Sequence, residues 1–162
     1  MCLYHRDRAV RIALTATTDA SASTERRTTP MQPDAVALVV AYLRAQEHLT
    51  GVTVVTARPD DVAAGVPVLL VEPVGDPVTS RMPWARRARW HLGLQVWAPD
   101  GEAREIAHGA LTALVAARDV RMPDGGRIVR ADPAADPVDI PDRRAGNGVQ
   151  RVVATFDVAV RP

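Results

Sequence analysis

The chain has 162 residues, of which 47% are hydrophobic and only 4% aromatic, and its formal net charge is +1. This length predicts one domain whose core is built mainly from Val, Leu and Ala. The near-neutral charge excludes a globally basic protein, the single cysteine (Cys2) excludes an internal disulfide and a thiolate metal site, and no apolar run is long enough for a membrane span.

Residues 1–30 end in a stretch rich in Thr, Ser and Ala with little apolar periodicity. Such a composition cannot bury an apolar face, so we expect a disordered or loosely attached extension. The folded domain is predicted to cover residues 31–162. One hypothesis is that Met31 is the true start of the protein. A peptide from residues 12–26, detected by mass spectrometry of the native protein, would rule this out.

A first helix is predicted immediately after this extension. Pro33 suits the first helical turn, and Asp34 complements the positive end of the helix dipole. Gly51 follows the pattern as a stop signal. The spacing of the apolar residues predicts one buried face, formed by Val36, Val39, Val40 and Leu43.

Two short strands are predicted next, at residues 52–57 and 66–74, because both segments are rich in β-branched residues and a turn-rich stretch separates them. Residues 75–83 contain Gly, Pro, Asp and Ser and predict a loop.

The stretch from Arg86 to Arg118 has the clearest pattern in the chain. Apolar and polar residues alternate through residues 87–97, which predicts a strand inside the sheet. Its apolar face, directed towards the helices, consists of Ala88, Trp90, Leu92, Leu94 and Val96. Asp100 is the expected N-cap of a following helix, and Glu102 lies in its first turn. The buried face of this helix is predicted to consist of Ile106, Ala107, Ala110, Leu111 and Leu114.

The C-terminal part predicts two further strands separated by a long loop. Residues 126–131 form a short strand, and residues 149–160 form the last one. Residues 132–148 are acidic and Pro-rich, and a loop of this kind is usually functional or mobile. The whole order predicts an α+β fold: a four- to five-stranded, mostly antiparallel sheet packed on one face by two helices.

The sequence contains no motif that indicates catalysis or metal binding. The paired acidic residues Asp60 with Asp61 and Glu102 with Glu105 lack the contrasting environments that acid–base chemistry needs. Metal-ligand spacing is also missing among the histidines, which are His5, His48, His91 and His108. We therefore expect a protein that is not an enzyme and has no cofactor. An enzyme whose site is built from scattered residues remains a further hypothesis.

One cluster carries more information, the stretch "RMPWARRARW" at residues 81–90. It combines Arg81, Arg86, Arg87 and Arg89 with Trp84 and Trp90. Arginine with aromatic residues is typical of protein interfaces and of nucleic-acid surfaces. A solvated polar face of an edge strand explains the same residues. These three interpretations stay open at this point.

The order of elements resembles the tail terminator (tail completion) proteins of long-tailed bacteriophages, especially those of actinobacterial hosts. The resemblance is strongest in "LGLQVWAPDGEAREIAHGALTAL", residues 92–114, where a strand ending in an aromatic residue is followed by a tight acidic turn and an Ala-rich helix. It extends over about residues 32–161. It implies an α+β subunit that forms a ring, usually a hexamer, which caps the tail tube and joins it to the head.

The resemblance also implies partners and a location. The partners would be other copies of the chain, the tail tube protein and the head-completion or connector protein, at the head–tail junction of a virion assembled in the host cytoplasm. We expect no membrane contact. Within the ring, Arg81, Trp84, Arg86, Arg87 and Arg89 would either meet a neighbour's acidic loop or face DNA passing through the channel. The acidic loop contains Asp132, Asp136, Asp139 and Asp142. The alternative function is a small nucleic-acid-binding module that uses the cluster at residues 81–90.

Overall fold

Two α-helices and seven β-strands make up the described part of the chain. The computed structural model describes residues 34–58, 62, 66–79, 87–142 and 148–162. The extension expected at residues 1–30 lies outside this part. In chain order the elements are α1 Ala35–Arg44, a 3-10 turn Glu47–Leu49, β1 Thr53–Val55, β2 Val68–Pro73, β3 Val78–Thr79, β4 Ala88–Pro99, α2 Glu102–Ala116, β5 Val120–Arg121, β6 Arg127–Asp139 and β7 Val149–Arg161.

The strands form one mixed sheet in the order β1-β2-β4-β7-β6-β5, with β3 paired to the start of β4. The β1–β2 pair is parallel, and the other described pairs are antiparallel. The predicted α+β class with two helices is confirmed, but the expected count of four to five strands was too low. The strands that were missed, β3 and β5, have two residues each. Strands this short have no periodicity that a sequence could reveal.

β4 is the central strand, paired with β2 on one side and with β7 along all twelve of its residues on the other. Leu92, Leu94 and Val96 are fully buried in the core beneath the helices. Each such side chain contributes about 1.5–3 kcal/mol relative to an exposed one. The predicted interior position of this strand, with this face towards the helices, is confirmed. Trp90 is only partly buried, at the margin of the same core.

The two helices begin with different caps. Asp34 is the N-cap of α1, and its Oδ1 accepts hydrogen bonds from the backbone N–H groups of Val36 (3.0 Å) and Ala37 (3.2 Å). The expectation that Asp100 caps α2 is wrong, because the N-cap position is occupied by Gly101. Gly101 has a φ of 89°, a conformation that glycine adopts at little cost.

The apolar faces of both helices pack on the same side of the sheet. The predicted faces are confirmed except for Val36 and Ile106, which are only half-buried. Small alanines on α2 allow the helix to approach the sheet closely, and these are Ala103, Ala107, Ala110 and Ala113. Pro33, which was expected in the first turn of α1, lies outside the described residues.

β6 is much longer than expected. The sequence predicted a strand at 126–131 and a loop at 132–148, whereas β6 continues to Asp139. Its register against β7 shifts at three points, which mark bulges. Bulges accommodate proline in an edge strand, so Pro133 and Pro137 fit within β6. The Pro-rich composition therefore predicted a loop where the chain forms an irregular strand.

Candidate interaction surface on the uncovered sheet face

The sheet face opposite the helices carries the candidate surface. Residues paired across antiparallel strands share one face, so the register determines which side chains are neighbours here. On β4 this face carries Arg89, His91, Gln95 and Trp97. It is charged where β4 begins and apolar where β4 ends. The pattern interpreted from sequence as one polar face thus contains two different regions.

Part of the predicted basic cluster lies on this face. Arg87 and Arg89 are both exposed, while Arg81, Trp84 and Arg86 lie outside the described residues. Trp90 points to the helix-covered side, so β4 separates it from Arg87 and Arg89. Its indole N–H is buried and has no hydrogen-bond partner in the described part of the chain. The interleaving of Trp90 with arginines in sequence is therefore not kept in space.

Asp157 on β7 is the centre of a small charged group at the start of β4. Arg89 donates to Asp157 Oδ2 at 2.6 Å, and His91 Nδ1 donates to Oδ1 at 3.0 Å. Burial raises the pKa of Asp157, but the hydrogen bonds and charges of His91 and Arg89 outweigh this effect. The pKa of Asp157 therefore lies below its usual value.

The sheet register places a row of arginines at this end of the uncovered face. Arg121 on β5 pairs with Arg127 on β6, and Arg127 pairs with Arg161 on β7. Arg87 continues the row, because the next residue, Ala88, pairs with the residue before Arg161. Neighbouring strands lie about 4.8 Å apart, so the four Cα positions span about 14 Å.

A second, shorter row lies beside the first. Arg130 on β6 and Arg89 on β4 are both paired with Ala159 of β7, one on each side of it. Together we name these residues the arginine rows: Arg87, Arg89, Arg121, Arg127, Arg130 and Arg161. The sequence analysis missed Arg121, Arg127, Arg130 and Arg161, because they are scattered along the chain and only the strand register unites them.

The acidic residues expected in one loop are divided between two places. Asp132 lies within β6, opposite Asp157, and forms a 3.0 Å ion pair with Arg130. Asp136, Asp139 and Asp142 lie near the other end of the sheet. Asp139 is opposite Val152, which is seven positions along β7 from the row of Arg89 and therefore about 23 Å away.

Most of these carboxylates have partners in their own chain. Asp139 is bound by Arg104 of α2 and by Gln150. Asp142 accepts hydrogen bonds from Arg58 at 2.9 Å and from Trp97 Nε1 at 3.0 Å. Asp136 is exposed and forms no ion pair with any residue that the structure describes. Of the three, only Asp136 is thus available to an external cation.

The opposite end of the uncovered face has an apolar cluster that the sequence analysis did not predict. Trp97 is fully buried there and packs with Val62, Val68 and Leu70. Two guanidinium groups lie over its ring, with the Cζ of Arg58 5.4 Å and that of Arg151 5.6 Å from the ring centroid. Such cation–π contacts and a bonded indole N–H stabilise a tryptophan at the border of a core.

A search with the sequence finds no matching family model and no matching curated protein. Among the described residues, no three His, Cys, Asp or Glu side chains are grouped as metal ligands. No helix in the described ranges is long and apolar enough to cross a membrane. Function is therefore inferred from the resemblance at residues 92–114 and from the uncovered face.

Proposed function

We propose that this protein is a structural virion subunit of the tail terminator type, and that it has no catalytic role. It would form a ring, a hexamer by the family resemblance, that caps the tail tube and joins it to the head. Its partners would be further copies of itself, the tail tube protein and the head-completion or connector protein, at the head–tail junction.

The observation that carries this proposal is the unequal covering of the sheet. Both helices pack on one face, so side chains of the strands form most of the other face, and Val62 and Arg58 lie over Trp97 at one end of it. A rigid body with one such face is suited to assembly, because it presents a broad set of side chains without needing to rearrange. The segment of strongest resemblance forms the centre of that body, where Leu92, Leu94 and Val96 are fully buried.

The arrangement of charges favours contacts between unlike surfaces of two copies. The arginine rows lie at one end of the sheet, and Asp136 lies near the other end. A contact between Arg89 and Asp136 would therefore require a second copy in a head-to-tail arrangement. Head-to-tail contacts close into rings when the rotation between copies permits it. Arg81, Trp84 and Arg86 belong to the same proposed interface or to a channel-facing surface.

Exposed apolar side chains near Asp136 suggest where a neighbour would pack. Val138 is 56% exposed and Ile140 is 40% exposed, although both are large apolar residues. Val138 is opposite Val153 on β7, so it belongs to the uncovered face. Exposed apolar side chains beside a free carboxylate resemble the mixed composition of a subunit interface.

Light scattering and native mass spectrometry of the purified protein test the proposal. We expect a closed oligomer that is lost in Val138→Asp with Ile140→Asp, while the melting temperature is retained. The control is Val115→Asp, which places one such charge on an exposed position of α2. In the encoding phage, loss of the gene should leave heads unjoined to tails or tails of uncontrolled length. Normal infectious particles without this protein would refute the proposal.

A further inference from the structure

The arginine rows hold more positive charge than the carboxylates of the described residues neutralise. Three carboxylates lie among the six arginines: Asp119, Asp132 and Asp157. Asp119 is shared, since it is within 3.0 Å of Arg127 and 3.3 Å of Arg161. Arg87 and Arg121 form no ion pair with any described residue, and both are exposed. The surface therefore has an excess of cations that point to solvent.

An external anion fits this excess better than the acidic segment of a second copy does. Asp139 and Asp142 are already bound by Arg104 and Arg58, so they would have to give up those partners first. Asp136 alone cannot neutralise the remaining excess of positive charge. The partner should instead carry several negative charges at short, regular intervals.

We propose that the arginine rows bind the phosphodiester backbone of a nucleic acid, without reading its base sequence. The spacing supports this choice. The Cα atoms stand about 4.8 Å apart across strands and about 6.7 Å apart along a strand, and the long, flexible arginine side chains can adjust from these positions to a DNA strand with one phosphate per about 3.4 Å of its axis. A planar guanidinium also binds a phosphate through two parallel hydrogen bonds.

The shape of the surface favours contacts with phosphates over contacts with base edges. The face around the rows is formed by a broad sheet, and a broad sheet face does not enter the major groove as a helix or a two-stranded ribbon does. Phosphate contacts alone give affinity that depends on salt but not on base sequence. This inference goes beyond the proposed structural function and does not depend on it, since a single subunit presents the same rows.

The test is fluorescence anisotropy with labelled 20-base-pair DNA duplexes of two unrelated sequences, titrated with the full chain at several salt concentrations. If each of the four arginines in the longer row contacts one phosphate, affinity for DNA falls roughly 100-fold between about 50 and 200 mM salt. In Arg87→Gln with Arg121→Gln, two contacts are lost, and the fall should be only about 10-fold. Both duplexes should bind equally well.

Control variants distinguish a loss of DNA binding at the arginine rows from a general effect of lowering the positive charge. Arg58→Gln with Arg104→Gln removes the same charge from the far end of the sheet and should leave DNA binding unchanged. Arg87→Lys with Arg121→Lys keeps the charge and should retain the salt dependence. Melting temperatures show whether each variant is folded, and neither Arg87 nor Arg121 has an ion pair with a described residue to lose.

Three results would overturn the inference. The first is no binding by the unaltered protein at about 50 mM salt, where phosphate contacts are strongest. The second is an equal loss of binding in the far-end control. The third is a loss of self-association in the Arg87 and Arg121 variant without any effect on DNA, which would assign the arginine rows to contacts between copies. Failure of ring formation with intact DNA binding would affect only the proposed structural function.

Discussion

Trp97 Nε1 donates a 3.0 Å hydrogen bond to Oδ2 of Asp142, a residue 45 positions further along the chain. The same carboxylate pairs with Arg58, whose guanidinium lies over the ring of Trp97. Arg58, three residues after β1, and Asp142, three residues after β6, are thereby joined on the face of β4 opposite the helices. One tryptophan links three distant parts of the sequence.

The two tryptophans of β4 predict opposite responses to the same substitution. Trp97→Phe removes a donor from a carboxylate and should cost about 1.5–3 kcal/mol. Trp90→Phe removes an indole N–H that is buried without a partner among the described residues, so it should cost little or even stabilise the fold. Urea unfolding of both variants measures the difference. Equal costs would contradict the assigned hydrogen bond.

Leu94 should behave as a core residue, because its side chain is 0% exposed at the centre of the sheet. Leu94→Ala is expected to cost about 2–5 kcal/mol through lost transfer energy and the cavity that remains. Val138→Ala, at a position that is 56% exposed, is the control and should change the free energy of unfolding by less than about 0.5 kcal/mol. A surface-like value for Leu94→Ala would contradict the position of β4.

Asp34 and Asp100 both stand just before a helix in the sequence, but the structure predicts different effects on stability when each is replaced. Asp34→Ala should cost about 0.5–2 kcal/mol, because its Oδ1 accepts from two backbone N–H groups of α1. Asp100→Ala should have a much smaller effect, since Gly101 occupies the N-cap position of α2. Thermal unfolding of the two variants is a sufficient comparison. A larger cost for Asp100→Ala would restore the original expectation that it caps α2.

Asp157 predicts a contribution to stability that depends on pH. Its folded pKa is lowered, so this contribution is present above the unfolded pKa of about 3.9 and is lost as pH falls through the folded pKa. Asp157→Asn should therefore lose less stability than the unaltered chain between about pH 5 and pH 2. The control Asp136→Asn, at an exposed carboxylate without an ion pair to described residues, should follow the unaltered chain. The check is the free energy of unfolding of all three proteins, measured by urea unfolding across this pH range. The same dependence on pH in all three would show that the Arg89 and His91 contacts have no net effect on stability.

The elements with strong periodicity were predictable from the sequence. β4 and the helices follow this rule, because alternation at Leu92, Leu94 and Val96 and helical spacing in α1 and α2 reflect the same buried core. β6 was not, since its prolines fit only through bulges that have no sequence signature. Trp97 was also missed as a core residue, because the second apolar cluster is assembled from separate strands.

The candidate surface was predictable only in part. Arg87 and Arg89 are close in sequence, and the structure keeps them on one face. Their neighbours Arg121, Arg127 and Arg161 come from three other strands, so their proximity depends entirely on the register. The four acidic partners were expected in one loop, but β6 extends through three of them. Among these four, local ion pairs leave only Asp136 without an ion pair to a described residue.

The irregular course of β6 has a consequence for how copies of this chain can meet. Beyond Ile128 the outer side of β6 has no strand partner among the described residues. Pro133 and Pro137 lack the N–H that a new strand would need, and the bulges break the regular spacing of the remaining groups. Extension of the sheet by a second chain is therefore disfavoured along this edge. Open-ended fibre growth by strand addition would begin with such an extension, so it is disfavoured here even at high protein concentration.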